Sequence, residues 1–210
     1  MGRWEPNARG RLAQAAMTLY AEQGFDQTTT AQIARLAGLT ERTFFRHYAD
    51  KREVLFYGTD SLLDLVVQAI ADAPPAATAM EAASAALHAA GTAIQETPDV
   101  ARMRNAVVSA NADLQERELV KFAEIAAAMA GALYDRGIPD PAARLAAEIA
   151  VAVFNVARSR WLSGPDQPDL TAILRESLEE MRRVVAGPQL AGSPALSRSS
   201  GAVSSRTPRT

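Results

Sequence analysis

Apolar residues recur at three- and four-residue intervals along most of this chain, and that spacing predicts helices. Alanine is abundant and alternating β-branched runs are absent, which favours helix over strand. Proline and glycine interrupt the pattern at intervals, so the ends of most helices can be assigned. The chain is therefore predicted to be all-α.

The N-terminal pattern begins with two helices. Helix 1 should cover about residues 6–23 and end at Gly24, a residue that readily adopts the left-handed conformation at a helix end. Helix 2 should begin at a threonine cap, which is either Thr29 or Thr30. Gly38 follows helix 2, and we expect it to supply a tight turn with positive φ.

Two further N-terminal helices follow this turn. Thr40 is expected to cap helix 3, which should end near Tyr48. Asp50 should cap helix 4, which is predicted to run without interruption over residues 51–71. The first three helices, with Gly38 between the second and the third, have the order and lengths of a helix-turn-helix unit.

The rest of the chain is also helical by pattern. Pro74 and Pro75 separate it from helix 4, and the predicted helices are 78–96, 99–110, 112–136, 141–163 and 169–186. We therefore expect one domain over residues 1–55, with helix 4 connecting to about residue 72, and a second domain over 73–187. Residues 188–210 are rich in Ser, Gly, Pro and Arg and are predicted to be disordered.

Helix 3 has two distinct faces when it is drawn at 100° per residue. Phe44 and Tyr48 share one face and should anchor the helix to helices 1 and 2. Arg42, Phe45 and Arg46 lie on the opposite face. A large apolar ring on the outer face of a short helix has no obvious partner unless that face meets a ligand surface.

That outer face suits the DNA major groove. Arg42 and Arg46 can each donate two hydrogen bonds to a guanine, and Phe45 can contact a thymine methyl group. Side chains that can bind phosphate surround them, namely Thr29, Thr30, Thr40, Thr43, His47 and Lys51. Two simpler interpretations remain open: the arginines could form an ordinary solvated face, and His47 could be a surface histidine.

Charge is unevenly distributed along the chain. Residues 35–52 contain five basic and two acidic residues, whereas residues 61–187 contain eleven basic and seventeen acidic residues. The whole chain has a formal net charge of −2. A protein of this kind is expected to bind a polyanion at one place only.

Composition argues against several other classes. The chain has no cysteine and only two histidines, His47 and His88, so we expect no metal, no cofactor and no enzymatic site. We also expect no secretory signal and no membrane segment, and therefore a cytoplasmic protein. The alternative that remains is a non-specific DNA-binding or helical interaction protein, which would bind DNA without sequence preference.

Residues 10–56 resemble the TetR/AcrR family of bacterial transcriptional regulators. The matching positions are Thr30, Ile33-Ala34, Ala37-Gly38, Leu39, Thr40, Thr43-Phe44-Phe45, His47-Tyr48 and Lys51. Two positions depart from the family pattern. Phe45 stands where the family commonly has Tyr, so a hydroxyl contact to phosphate is lost. Arg42 stands where a small residue is frequent, which suggests an added contact and an altered operator.

The resemblance implies a regulator, most simply a repressor, that binds a palindromic double-stranded DNA operator and is released by a small, mostly apolar effector. It also implies that residues 1–55 form a helix-turn-helix DNA-binding domain and that residues 73–187 form a ligand-binding and dimerisation domain. The apolar faces of the helices predicted at 141–163 and 169–186 independently suggest a homodimer, although they could instead close the subunit's own core. Effector-pocket candidates, each of which packing would explain equally well, are Met103, Val107, Phe122, Met129, Phe154, Asn155, Arg158 and Trp161.

Overall fold

A computed structural model describes residues 7–164 and 169–187, and within these residues the fold is all-α. Nine α-helices and one 3-10 helix are present in the described ranges. The α-helices are α1 Ala8–Gln23, α2 Thr30–Leu36, α3 Glu41–His47, α4 Thr59–Ala71, α5 Ala79–Gln95, α6 Pro98–Ser109, α7 Ala112–Asp135, α8 Asp140–Ser163 and α9 Leu170–Ala186. The 3-10 helix is Glu53–Phe56. The tail predicted at 188–210 lies outside the described residues.

Helices α1 to α3 and the 3-10 helix form one unit, which we call the head. Its core contains Leu12, Ile33 and Phe44, and none of these side chains is accessible to solvent. The predicted helix signals are confirmed here. Thr29 caps α2 and forms a reciprocal capping box with Gln32, and Thr40 caps α3 as predicted. Gly24 ends α1, and Gly38 makes the turn after α2 with the positive φ that was expected.

The prediction of one uninterrupted helix over residues 51–71 is wrong. Asp50 does accept hydrogen bonds from the N–H groups of Arg52 and Glu53, at 2.7 and 3.2 Å, but only the 3-10 helix follows. The chain then passes through Gly58, whose φ of 91° is left-handed, before α4 begins. An apolar pattern at helical spacing continues across this break, and for that reason periodicity alone did not reveal it.

Helices α4 to α9 form a second unit, which we call the body. Its core is built from small and apolar residues, including Ile70, Leu133 and Trp161. The five helices predicted for residues 78–186 are found with ends within two residues of the expected positions. A capping box of Thr78 and Glu81 begins α5, which accounts for its sharp start after the two prolines.

Residues of the body also pack into the core of the head, which the domain boundaries predicted from the sequence did not indicate. Val108 of α6 and Leu114 of α7 are buried in the core of the head. Two ion pairs also cross from head to body: Arg9 with Asp60 at 3.2 Å, and Glu53 with Arg117 at 2.6 Å. The head is therefore packed onto the body rather than tethered to it by one helix.

Segment Glu53–Ala71 is long and apolar enough to cross a membrane by length and composition. In the fold it is two helices separated at Gly58. Val66 and Ile70 of α4 are buried in the body core, against α5 and α7. These residues already have protein partners, so the segment serves as a core element here.

Candidate DNA interface and effector cavity

The inner face of α3 fixes this helix to the head. Phe44 is completely buried and Tyr48 is 4% exposed, as their spacing predicted. Burial raises the pKa of Tyr48 to about 12, so its hydroxyl stays protonated and donates to the carbonyl oxygen of Arg9 at 2.9 Å. The position of α3 therefore depends on both packing and a hydrogen bond to α1.

The outer face of α3 is available for an external partner. Arg42 and Arg46 are exposed, and within the described residues neither forms a hydrogen bond or an ion pair. Phe45 is 54% exposed, and its ring meets Phe44 edge-on with centroids 5.4 Å apart. Two arginines with unused donors beside an exposed ring form a surface that matches the base edges of a major groove.

Four threonines frame this surface at the beginnings of α2 and α3. Thr29 and Thr40 cap the two helices, and the hydroxyls of Thr40 and Thr43 are 2.9 Å apart. Thr30 donates its hydroxyl to a Glu41 carboxylate oxygen, which links the starts of both helices. Capping leaves part of each hydroxyl's hydrogen-bonding capacity available, so a phosphate contact remains compatible with this arrangement.

Lys51 has a different role from the one expected. Its ammonium donates to the carbonyl oxygens of Phe25, Asp26 and Thr28 at 2.8, 3.2 and 3.0 Å, and it also lies 4.4 Å from the Phe25 ring centroid. An ammonium has three donors, and all three are used. In this conformation Lys51 holds the loop before α2 in place and has no donor left for a phosphate.

His47 lies at the edge of the same surface. Burial, together with the positive charges of Arg46 and Arg9, lowers the pKa of His47, so its ring is neutral at pH 7. Its buried Nε2 atom has no hydrogen-bond partner among the described residues. A neutral imidazole keeps one N–H donor, so His47 can still contact a phosphate, and a phosphate beside it would favour the protonated form.

A cavity of about 510 Å³ lies where the head meets the body. Its size is within the range of small-molecule sites, about 300–1,000 Å³. The walls come from the 3-10 helix, the beginning of α4, and α5 to α8. Most of the lining residues are apolar, and they include Leu55, Phe56, Leu62, Ile94, Phe122 and Ile125.

The structure brings only half of the predicted pocket residues to this cavity. Those that line it are Phe122, Phe154, Arg158 and Trp161. The other four lie elsewhere: Met103 is on the exposed side of α6, Val107 packs against the head core, Met129 is buried in the body core, and Asn155 is outside the lining. Helical spacing placed these four residues on α6 to α8, but it could not show which face of each helix lines the cavity.

Three charged residues of the cavity were missed as pocket residues, namely Arg104, Glu118 and Lys121. Arg104 and Glu118 form an ion pair of 2.7 Å, and Glu118 also pairs with Arg158 at 3.1 Å. A signal for them was present in the sequence: Arg104 lies on the same helical face as Val100 and Val108, and Glu118 lies between Leu114 and Phe122. A charged residue on an apolar face indicates a buried polar site.

Family comparisons cover both units of the fold. Residues 12–57 match the family described as bacterial regulatory proteins, tetR family, and residues 77–186 match the MftR C-terminal domain. Among curated proteins, the chain is similar to the HTH-type transcriptional regulator TcmR of Streptomyces glaucescens, with 33% identity over 81 residues, 39% of this chain and 36% of that protein. It is also similar to HbdR of Aromatoleum sp. (strain CIB), with 36% identity over 62 residues, 30% of this chain and 27% of that protein. These matches span about a third of each relative.

Solved structures share the whole architecture at low sequence identity. FadR from Thermus thermophilus, a TetR-family repressor in complex with lauroyl-CoA, has a TM-score of 0.56 and 23% identity, covering 89% of this chain and 98% of that one. FadR from Bacillus subtilis, in complex with stearoyl-CoA, has a TM-score of 0.57 and 18% identity, covering 81% and 95%. Both support the same two-unit fold. The chain therefore belongs to the TetR family of bacterial regulatory proteins.

Proposed function

We propose that the protein is a repressor that binds a palindromic operator as a homodimer and leaves it when a small, mostly apolar molecule occupies the body. The observation that carries this proposal is the outer face of α3. Phe44 and Tyr48 fix the helix. Arg42 and Arg46 form no hydrogen bond or ion pair among the described residues, and the Phe45 ring is 54% exposed. Docking into a major groove would give these arginines hydrogen-bond acceptors and the Phe45 ring an apolar contact.

Exposed apolar residues on α8 support the homodimer. Leu145 and Val156 are 61% and 57% exposed, and they lie three helical turns apart on one side of the helix with Ala152 between them. Near the end of α9, Val184 and Val185 are also strongly exposed. Two copies related by a two-fold axis would cover these residues and present two recognition helices to successive major grooves.

The position of the cavity supports release by an effector. Its walls include the 3-10 helix of the head and the first turn of α4, so a bound molecule would touch both units. The FadR structures described above hold acyl-CoA molecules, which have a long apolar part. An effector that binds better to one arrangement of head and body would shift the population towards it, and DNA affinity would follow.

Selection of operators from random double-stranded DNA tests the proposal directly. The full chain should enrich one palindrome with half-sites about one helical turn apart. Arg42→Ala/Arg46→Ala should lose that enrichment, whereas Arg175→Ala/Arg182→Ala, which removes two exposed positive charges from α9, should keep it.

Two results would contradict the proposal. DNA retained without any enriched sequence would instead indicate the alternative, a non-specific DNA-binding or helical interaction protein. Equal loss of enrichment in both double variants would show that overall charge, and not the face of α3, determines binding.

A further inference from the structure

Among the residues that the structure describes, the charged cluster at the cavity contains two arginines for one carboxylate. Arg104 and Arg158 each pair with a different oxygen of Glu118, and the three side chains are only 27%, 18% and 14% exposed, respectively. Lys121 adds a third cation to the lining, although it pairs with Glu124 at 3.0 Å. The cavity therefore has apolar walls and an excess of positive charge.

Hydrogen bonding leaves part of this charge unsatisfied. Arg158 donates to Asn105 Oδ1 at 3.3 Å and to Glu118, but its buried Nε has no partner among the described residues. Burial lowers the pKa of Arg104, and Glu118 opposes that effect. Buried charges are normally paired, and one carboxylate cannot satisfy two guanidinium groups. A second anion would complete the cluster.

We propose that the effector is an amphipathic carboxylate, with its carboxylate held by Arg158 and Arg104 and its apolar tail lying along Leu62, Ile94 and Ile125. This inference rests on the proposed function, because it names the chemistry of the effector. Guanidinium groups bind carboxylates through two parallel hydrogen bonds, which a neutral alcohol or ester cannot reproduce. The apolar walls alone would not distinguish an acid from an alcohol of the same length.

Arg104 also connects the cavity to the head. Its Nε donates to the carbonyl oxygen of Leu55 at 2.8 Å, and its guanidinium lies 5.0 Å from the centroid of the Phe56 ring. Leu55 and Phe56 belong to the 3-10 helix of the head. A carboxylate that attracts Arg104 competes with this hydrogen bond, so the charged end of the ligand, and not only its tail, should act on DNA binding.

Calorimetric titration of the full-length protein with decanoate, 1-decanol and decanoyl-CoA tests the ligand class. Decanoate should bind at least tenfold more tightly than 1-decanol. Arg158→Gln should abolish this preference, whereas Arg144→Gln, an exposed arginine of the same helix outside the cavity, should retain it. Glu118→Gln keeps both arginines and removes the competing carboxylate, so it should bind decanoate several-fold more tightly even if Arg158→Gln does not fold.

Several outcomes would overturn the inference: equal affinity for decanoate and 1-decanol, tighter binding of decanoyl-CoA than of decanoate, or no binding of any probe. Failure of the proposed function would give a different result from failure of the carboxylate inference. If the chain enriches no palindrome but prefers decanoate, the proposed regulation is wrong and the cavity chemistry stands. If the chain enriches a palindrome but binds decanoate and 1-decanol equally well, the proposed operator binding is supported and the carboxylate inference is wrong.

Discussion

Replacing Phe45 by alanine removes the exposed ring of α3 without disturbing its inner face. Phe44 is fully buried beside it and continues to anchor the helix. The ring of Phe45 contacts that of Phe44 edge-on, and the loss of such a contact costs about 0.5–1.5 kcal/mol of stability. We therefore expect the variant to fold and to unfold at a slightly lower denaturant concentration.

The expected loss of operator affinity follows from the exposed area. Phe45 is 54% exposed, and an aromatic side chain can bury about 150–250 Å², so about 100 Å² remains to be buried on docking. At about 25 cal/mol per Å² the upper limit is about 2.5 kcal/mol. Because a groove retains water, we expect a loss of about 1–2.5 kcal/mol, which is about 5- to 70-fold in Kd.

Fluorescence anisotropy with the selected operator measures this loss, with an unrelated duplex as reference. Leu36→Ala is a matched control, because Leu36 is also 54% exposed but lies on α2, outside the recognition helix. Phe45→Tyr should bind slightly more tightly than the natural protein, because its hydroxyl can reach a phosphate. Unchanged affinity in Phe45→Ala, or an equal loss in Leu36→Ala, would refute docking through the outer face of α3.

Four further changes test other parts of the molecule. Arg46→Ala should weaken operator binding by about 1–3 kcal/mol and unrelated DNA much less, which competition anisotropy would measure; equal effects would remove Arg46 from base recognition. The lowered pKa of His47 should make the unfolding free energy fall as pH drops below about 6.5, and His47→Asn should reduce that fall in urea titrations; identical profiles would contradict the shift. Val156→Glu should give a monomer in light scattering, and a stable dimer would move the interface elsewhere. Gly58→Ala should lower the unfolding free energy by about 1–2 kcal/mol through backbone strain alone, since nothing lies within 4 Å of an added Cβ; no change would argue against the break at this residue.

Local signals in the sequence were sufficient for most of the fold. Threonine caps, helix-ending glycines and prolines act within a few residues, so they set helix bounds whatever the tertiary contacts. The two faces of α3 followed from helical spacing, and the burial of Phe44 and Tyr48 confirmed them. The nine α-helices of the described ranges were anticipated for the same reason, apart from the early start predicted for the fourth.

The cavity could not be predicted in the same way, because it depends on how distant helices pack. Helical spacing shows that Met129 and Phe154 face inward, and both are buried in the body core, but only Phe154 also lines the cavity. The same limit applies to Lys51. Its charge suggested a phosphate contact, and only the folded loop shows that three carbonyl oxygens surround it.

The break at Gly58 changes how the two units can be coupled. On one side of it, Leu55 and Phe56 are buried in the head core; on the other, Val66 and Ile70 are buried in the body core. A continuous helix would have joined these cores as one rigid rod, whereas the structure joins them through a short non-helical link that the cavity contacts directly. Under the proposed regulation, an effector would act on this link and also on the contacts of Val108 and Leu114 with the head core, because both hold the head against the body.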